Sequence, residues 1–178
     1  RIRDRAGEQW IADISQEVHQ YLQQTIQELR TLPFEISSPV LYELGFIPAI
    51  RWLTRQFEEK HHLHIRLEEK LKAPVSEQVS ILLFQAVREL LTNVVKHAKA
   101  KQVQVHIVHE KRLLKIIVAD DGVGLDRTSL QVNADQKTGF GMFNIRERIG
   151  SLNGTMKVKS KEGKGTRVEL TLPCSCRS

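Results

Sequence analysis

The first part of the chain has the apolar periodicity of a long helix. Apolar side chains recur every three or four positions across residues 8–32, with Gln and Glu residues between them. Because the spacing alternates between three and four, it is close to the 3.5-residue repeat of helices that wrap around each other. Pro33 and Pro39 predict a break or kink after this helix. A second helix is predicted from about Ile47 to the polar cluster at residues 60–62.

From residue 62 onward the pattern changes to a mixture of strands and helices, which indicates an α+β fold. Residues 62–69 alternate apolar and polar side chains, as a half-buried strand does. Ser76 is the predicted N-cap of a long helix that runs to about Ala98. The remaining predicted elements are a helix at residues 142–152 and strands at residues 103–107, 113–119, 155–160 and 166–172, the last two forming a hairpin. We therefore place a domain boundary between residues 61 and 62.

Composition and charge narrow the class of protein. A chain of 178 residues has room for one domain with an appendage but not for two large domains. A hydrophobic content of 40% and a charged content of 27% are those of a globular protein, and no apolar run reaches the roughly 18–20 residues of a membrane span. The net charge of +6 leaves a polyanion open as a ligand. Because the chain begins with Arg rather than Met, we expect it to be a piece of a longer protein.

A stripe of polar residues lies beside the apolar face of the predicted helix at residues 76–98. At about 100° per residue, Glu89, Asn93, Lys96 and His97 fall on one arc of its surface. A carboxylate there can orient or deprotonate an attacking group, and an Asn carbonyl is a hard oxygen ligand suited to Mg²⁺. The Lys and His side chains can meet phosphate oxygens. The alternative is that the stripe is only the solvated face of an amphipathic helix.

Two glycine-rich segments add to this stripe. Asp120 ends a predicted buried strand, and Gly122 and Gly124 follow it, where glycine permits close approach of a ligand to the backbone. A carboxylate at a strand end can accept a hydrogen bond from an exocyclic amine such as that of adenine. Residues 139–142 precede a predicted helix, whose first backbone N–H groups can receive phosphates. This segment is neither a Walker loop nor a Rossmann fingerprint. Each segment alone is a weak signal, but the three in this order are a strong one.

In this order, the segments resemble the ATP-binding domain of the GHKL superfamily, and specifically that of bacterial sensor histidine kinases. Residues 89–98 are similar to the family's N box, residues 120–124 to its first glycine box, residues 139–142 to its second and residues 163–166 to its last. Residues 141–149 are similar to the nitrate-sensor-like and DesK-like subfamily of two-component kinases.

The resemblance implies a fold and a division of the chain. Residues 28–32 and 38–46 resemble the second helix of the subfamily's dimerisation region and the exit from it. Residues 1–61 would then be a partial dimerisation and histidine-transfer region, and residues 62–178 the ATP-binding catalytic domain. The implied fold is α+β, a Bergerat-type α/β sandwich with a mixed, mostly antiparallel sheet and helices on one face, preceded by a long dimerisation helix.

The resemblance also gives each candidate residue a role. ATP and Mg²⁺ are the implied ligands, Glu89 is the implied base or water-orienting group, and Asn93 is the implied Mg²⁺ ligand. Asp120 would bind the adenine amine, and Thr166 would lie near the adenine. Residues 125–141 would form a mobile lid over the nucleotide. The other residues of the implied ATP site contact the phosphates or belong to the glycine boxes: Lys96, His97, Gly122, Gly124, Gly139, Phe140, Gly141 and Met142.

The function implied by the resemblance is transfer of a phosphoryl group from ATP to a histidine upstream of this chain, and then to an aspartate of a response regulator. We do not expect the chain to phosphorylate itself, because His19 aligns with the second helix of the dimerisation region and not with the first. The full protein is expected to form a homodimer through the N-terminal helix. This region is expected in the cytoplasm, without membrane contact of its own, although the parent protein can be membrane-anchored.

Three other functions stay open. An anti-sigma-factor-type serine kinase belongs to the same superfamily, but residues 8–32 and 146–148 resemble the sensor kinases. A nucleotide-gated interaction module without turnover is suggested by the missing phosphate-accepting histidine. A nucleic-acid binder is disfavoured, because the positive charges are scattered and only ten aromatic residues occur, six Phe, two Trp and two Tyr.

Overall fold

The computed structural model of the chain describes residues 39–71, 73–124 and 140–174. The helix predicted at residues 8–32, the break at Pro33 and residues 125–139 of the predicted lid, including Gly139, lie outside the described residues, as does the side chain of Phe140. Within the described ranges, no helix has both the length and the apolar composition that crossing a membrane requires.

The described elements follow the predicted order. A short helix, α1 (Pro39–Leu44), is followed by α2 (Phe46–His61), β1 (His64–Lys70) and α3 (Glu77–Asn93), which continues as a π-helical turn (Val94–Ala98). The chain then forms β2 (Gln102–Glu110), β3 (Leu113–Asp120), α4 (Phe140–Ser151), β4 (Thr155–Ser160) and β5 (Thr166–Pro173). The predicted strands are confirmed, and the terminal hairpin begins and ends within one residue of its predicted bounds.

The strands form one sheet in the order β1-β2-β3-β5-β4. β1 and β2 are parallel and are joined through α3, and the other neighbours are antiparallel. The expected mixed, mostly antiparallel sheet is therefore confirmed. The register aligns one apolar row across all five strands: Leu67, Val105, Val118, Val168 and Val158. Because alternate residues of a strand point to the same face, this row belongs to the face on which the helices pack.

Helix α3 packs against the core through the arc that its sequence predicts. All six residues of this arc are buried: Leu83, Val87, Leu90, Leu91, Val94 and Ala98. Burying a Val or Leu side chain contributes roughly 1.5–3 kcal/mol, so this arc anchors the helix that carries Glu89 and Asn93. Ser76 occupies the predicted N-cap position, but its side chain makes no capping hydrogen bond to the described residues. The backbone carbonyl of Ser76 accepts a hydrogen bond from Ser80 N at 2.8 Å.

The end of this helix differs from the prediction. The sequence predicts one α-helix to about Ala98, whereas the α-helix ends at Asn93 and Val94–Ala98 form a π-helical turn. A π-helix places more residues in each turn than an α-helix, and such turns are frequent at functional sites. The Ala98 carbonyl accepts a hydrogen bond from Val123 N at 2.8 Å. The wider turn is therefore fixed by a contact with the end of β3, which no local pattern predicts.

Helix α2 is held to the first strand by packing and by polar contacts. Glu58 Oε1 accepts a hydrogen bond from Ile65 N, in β1, at 2.8 Å. Arg51 forms an ion pair with Glu69 at the other end of the same strand. Three apolar residues of α2 contribute to the hydrophobic core, with the third only partly buried: Ile50, Leu53 and Phe57.

The compact unit that contains the sheet runs from Val40 to Ser178 and includes α2. Contacts therefore begin this unit at Val40 rather than at residue 62, because α2 shares its core with the sheet. A functional division between residues 61 and 62 stays a prediction about the full protein.

Candidate functional site

Two predicted site residues, Glu89 and Asn93, are four positions apart on α3 and so share one face of the helix. Both side chains are half-buried. The side-chain amide nitrogen of Asn93 is itself buried and has no hydrogen-bond partner among the described residues. Leaving a buried donor unpaired destabilises a fold by roughly 1–3 kcal/mol. An amide kept in this state is suited to bind a ligand.

The Asn93 amide fits the Mg²⁺ and the triphosphate that the sequence implies. Its carbonyl oxygen is a hard ligand of the type that Mg²⁺ takes, and Mg²⁺ commonly binds through one or two protein groups together with substrate phosphates. The amide nitrogen, which has no partner in the described part of the chain, can donate to a phosphate oxygen. Both ends of the side chain therefore have a use in a site for a metal–nucleotide complex.

The first turn of α4 lies directly against the Glu89 carboxylate. A Cβ atom at Gly141 would overlap Glu89 Oε1 and would lie 2.7 Å from its Cδ, so an alanine here would displace Glu89. The positive end of a helix dipole stabilises a carboxylate placed near it. Met142 packs against the hydrophobic core, and Arg148 Nη1 donates to Gln85 Oε1 at 2.6 Å, one turn before Glu89 on α3. These contacts bring the second glycine segment to the helix that carries Glu89.

Asp120 ends β3, with its side chain half-buried. Its Oδ1 accepts two backbone hydrogen bonds, from Gly122 N at 2.9 Å and from Thr166 N at 3.3 Å. Its Oδ2 has no hydrogen-bond partner within the described ranges. Burial raises the pKa of the Asp120 carboxyl above its ordinary value, although the two backbone donors act in the opposite direction. The second oxygen is therefore an acceptor available to a ligand N–H group.

The neighbouring Asp121 has a different role. Its Oδ1 accepts hydrogen bonds from Gln102 N at 2.9 Å and from Lys101 N at 2.8 Å. These bonds, the one from Gln102 most of all, lower the pKa of the Asp121 carboxyl. Because they connect the start of β2 to the end of β3, Asp121 stabilises the fold, whereas Asp120 has one carboxylate oxygen without a hydrogen-bond partner among the described residues.

The segment after Asp120 packs on the π-helical turn that follows Asn93. Val123 N donates to Ala98 O, as described above, and a Cβ atom at Gly122 would overlap that same carbonyl oxygen. Close packing therefore requires glycine at position 122. This contact ties the strand end that carries Asp120 to the helix end that carries Asn93.

The turn between β4 and β5 closes over the end of β3. Gly163 N donates to Val123 O at 2.8 Å. Gly165 has φ +77°, and a Cβ atom there would overlap Asp120 O, so both the backbone conformation and the close approach require glycine. Gly124, with φ +74°, packs in the same way against the backbone of Lys161. The last glycine box therefore contacts the first one directly.

Thr166 lies beside Asp120 and is held by a residue that the sequence did not single out. Thr166 Oγ1 is 3.0 Å from Ser160 Oγ, and Ser160 Oγ also donates to Gly165 O at 3.1 Å. Ser160 and Thr166 are paired directly across the hairpin. Paired residues place their side chains on the same face of a sheet, so the predicted hairpin register is the signal that could have identified Ser160.

Lys96 and His97 are both exposed and lie in the π-helical turn. The sequence put them on the arc of Glu89 and Asn93 by counting 100° per residue, which holds only for an α-helix. The turn is wider past Asn93, so the placement of Lys96 and His97 on that arc stays a prediction. Contact of Lys96 and His97 with phosphate stays a prediction.

Residues 78–175, more than half of the chain, match the model of the family described as histidine kinase-, DNA gyrase B-, and HSP90-like ATPase. The matched region contains Glu89, Asn93, Asp120 and Thr166, the residues around which the candidate site is built. The chain therefore belongs to this family of ATPases.

Individual relatives are sensor histidine kinases. The chain is 29% identical over 159 residues to the signal transduction histidine-protein kinase/phosphatase DegS of Brevibacillus brevis, which covers 88% of the chain and 40% of that protein. It is 35% identical over 138 residues to the kinase/phosphatase UhpB of Salmonella typhimurium, and this alignment covers 75% of the chain and 25% of UhpB. It is 28% identical over 165 residues to the oxygen sensor histidine kinase NreB of Staphylococcus carnosus, which covers 92% of the chain and 46% of that protein. The chain thus spans less than half the length of each of these relatives.

Solved structures of histidine kinases share the fold. The histidine kinase domain of a blue-light activated histidine kinase from Erythrobacter litoralis is 21% identical to this chain. The two superimpose with a TM-score of 0.58, covering 71% of this chain and 61% of that one. The α+β sandwich is therefore the fold of a histidine kinase domain.

Proposed function

We propose that this chain is the ATP-binding catalytic region of a two-component sensor histidine kinase. The γ-phosphoryl group of ATP would pass to a histidine upstream of the chain and from there to an aspartate of a response regulator. Membership in the ATPase family and similarity to sensor histidine kinases support this function. The same relatives favour it over an anti-sigma-factor-type serine kinase.

The observation that carries the proposal is a continuous series of contacts between the candidate segments. Gly141 lies against Glu89, and Ala98, just past Asn93, lies against Gly122. Asp120 accepts the backbone hydrogen bond of Thr166. The Gly122 contact with the Ala98 backbone requires glycine, and the contact between Asp120 and Thr166 is a hydrogen bond to the backbone, so these segments are held together, and Gly141 packs against the Glu89 side chain beside them.

Each group then has a task in phosphoryl transfer. Asp120 accepts a hydrogen bond from the exocyclic amine of adenine, and Asn93 binds the phosphates and Mg²⁺. Mg²⁺, when bound, neutralises charge on the phosphate oxygens. Glu89 orients the attacking histidine or accepts its proton, and the exposed Lys96 and His97 add positive charge for the phosphates. Positioning and charge neutralisation are the contributions that phosphoryl transfer requires from a protein.

The partners follow from the same proposal. A response regulator is the acceptor of the phosphoryl group, and a homodimer forms through the N-terminal helix of the full protein. The region works in the cytoplasm, where ATP and response regulators are available.

Titration of the chain with ATP tests the site. We expect Mg²⁺-dependent binding that weakens by about tenfold or more in Asn93→Ala and in Asp120→Asn, since each variant removes a hydrogen bond involving a charged group. Asp121→Asn and Asn144→Ala are the matched controls, because Asp121 is bonded to backbone N–H groups and Asn144 is an exposed residue of α4. Binding that is unchanged in both Asn93→Ala and Asp120→Asn would contradict the proposal.

Phosphoryl transfer needs a separate measurement. Incubation of the full-length protein with γ-labelled ATP should give an acid-labile label on histidine, and Glu89→Gln should reduce its rate of formation. An acid-stable label on serine would favour the serine kinase. ATP binding without any label would favour the interaction module without turnover.

A further inference from the structure

Gly141 lies in the first turn of helix α4, where the backbone itself does not require glycine. Unlike Gly124 and Gly165, Gly141 has no positive φ, and its conformation is one that every residue type adopts in a helix. Within a helix, glycine is also less stable than alanine, because it loses more conformational freedom on folding. The reason for glycine at this position therefore lies in what surrounds it.

The space beside Gly141 is occupied by one side chain. The three heavy atoms nearest to a Cβ placed there all belong to Glu89, namely Oε1, which would overlap with it, Cδ at 2.7 Å and Cγ at 3.2 Å. At Gly122, by contrast, the nearest atom is a backbone oxygen. A side chain at position 141 and the Glu89 carboxylate therefore compete for the same space.

Helix α4 is held in place by contacts other than this one. Ile149 is fully buried in the hydrophobic core, and Arg148 Nη1 donates to Gln85 Oε1 on α3 at 2.6 Å. The Glu89 carboxylate is the half-buried end of a side chain with several rotatable bonds. In a variant with alanine at position 141, the Glu89 carboxylate therefore moves and the helix stays in place.

We propose that Gly141 is a positioning residue for Glu89, which leaves free the space in which the Glu89 carboxylate reaches the attacking group. This inference rests on the proposed function, because that function gives Glu89 its task in phosphoryl transfer. Alanine keeps the backbone N–H group at position 141, so any hydrogen bond from that group to a phosphate is retained. The role of the missing side chain is thus separate from nucleotide binding.

Gly141→Ala should change the rate of phosphoryl transfer and leave the affinity for ATP unchanged. A reacting group that is displaced by about 1 Å can lower a rate by about a hundredfold, and a positioned base contributes about 10²–10⁴-fold. We therefore expect the rate at saturating ATP to fall by about tenfold to a hundredfold. The variant should unfold at the same urea concentration as the wild type or at a higher one.

The experiment measures rate, affinity and stability on the same variants. The rate is that of labelling of the full-length protein by γ-labelled ATP with Mg²⁺, and ATP titration and urea denaturation give the other two. Gly150→Ala is the matched control, because it adds the same methyl group to α4 where no heavy atom lies within 4 Å; its rate should equal that of the wild type. In a Glu89→Gln background, Gly141→Ala should lower the rate no further, since no carboxylate is left to displace.

The outcomes separate this inference from the proposed function. A wild-type rate in Gly141→Ala, a loss of ATP affinity as large as the loss of rate, or unfolding at a lower urea concentration would each overturn the role of Gly141. An equal loss of rate with Glu and with Gln at position 89 would overturn it too. If Glu89→Gln is slow in those cases, the proposed function stands. If Glu89→Gln transfers at the wild-type rate, the task of Glu89 in the proposed function fails, and this inference fails with it.

Discussion

The junction between β3 and the π-helical turn leaves no room for a side chain at Gly122. In Gly122→Ala, the new Cβ would overlap the Ala98 carbonyl oxygen and would lie 2.7 Å from Ala98 Cβ and 2.8 Å from Ala98 C. All three are atoms of the backbone or directly attached to it, so no change of rotamer can relieve the overlap. The two segments have to move apart.

The expected loss of stability follows from three terms. Forcing an extra group into a packed region destabilises by about 1–3 kcal/mol, and losing the bond from Val123 N to Ala98 O adds about 0.5–1.5 kcal/mol. Alanine restricts the unfolded chain more than glycine does, which offsets about 0.4–1 kcal/mol. The free energy of unfolding should therefore fall by about 0.5–4 kcal/mol, compared with the roughly 5–15 kcal/mol of a typical domain.

Urea denaturation followed by circular dichroism measures this change, and ATP titration in the absence of urea measures its effect on the site. Binding should weaken as well, because the same junction connects the residues Asn93 and Asp120. Gly150→Ala is the matched control, since no heavy atom lies within 4 Å of its Cβ position and Gly150 is inside helix α4. There, alanine should stabilise the protein by about 0.4–1 kcal/mol.

The reasoning is refuted if Gly122→Ala unfolds at the same urea concentration as the wild type, or if it is stabilised as Gly150→Ala is. Either result would mean that the two segments are not in contact as described.

The two adjacent aspartates should respond to pH in opposite ways. The pKa of Asp120 is raised on folding, so its ionisation destabilises the fold once the pH exceeds the ordinary value of 3.8. In urea denaturation, Asp120→Asn should therefore be more stable than the wild type at neutral pH, and the difference should shrink as the pH falls towards 3.8. A difference that is constant with pH would contradict a raised pKa of Asp120. The pKa of Asp121 is lowered on folding, so its stabilising contribution is present above 3.8 and is lost as the pH falls through the lowered value. Asp121→Ala should be less stable than the wild type by about 1 kcal/mol or less at neutral pH, because the side chain is exposed, and the difference should vanish in acid; a difference that persists at low pH would point to packing instead.

Local patterns in the sequence predict helices and strands whose apolar residues recur at a regular spacing, because that spacing places them all on one buried face. The hairpin of β4 and β5 alternates on both sides of a glycine turn, and its register follows from that alternation. The buried arc of α3 follows from the spacing of apolar residues at 100° each, so its core contacts are confirmed down to Ala98.

What the sequence misses depends on contacts between distant segments. The π-helical turn contacts Val123, which follows β3 and is distant in sequence, so the α-helical count does not predict the turn, and the placement of Lys96 and His97 stays a prediction. Asp120 and Asp121 are the same residue type at adjacent positions, so the sequence cannot tell them apart. In the structure, different backbone N–H groups donate hydrogen bonds to their carboxylates. A side chain at position 141 would overlap the Glu89 carboxylate, which gives the second glycine segment a packing reason in addition to the expected phosphate binding.

The two outer strands of the sheet are protected against the addition of a strand from another molecule. An edge strand exposes backbone N–H and C=O groups on which a further chain can pair and aggregate. In β1, the N–H group of Ile65 is already bonded to Glu58 of α2. In β4, the exposed Lys157 and Lys159 place positive charge along the opposite edge, as natural edge strands often do. The contact between α2 and β1 therefore serves solubility as well as packing, and Glu58→Ala should raise the tendency of the protein to aggregate.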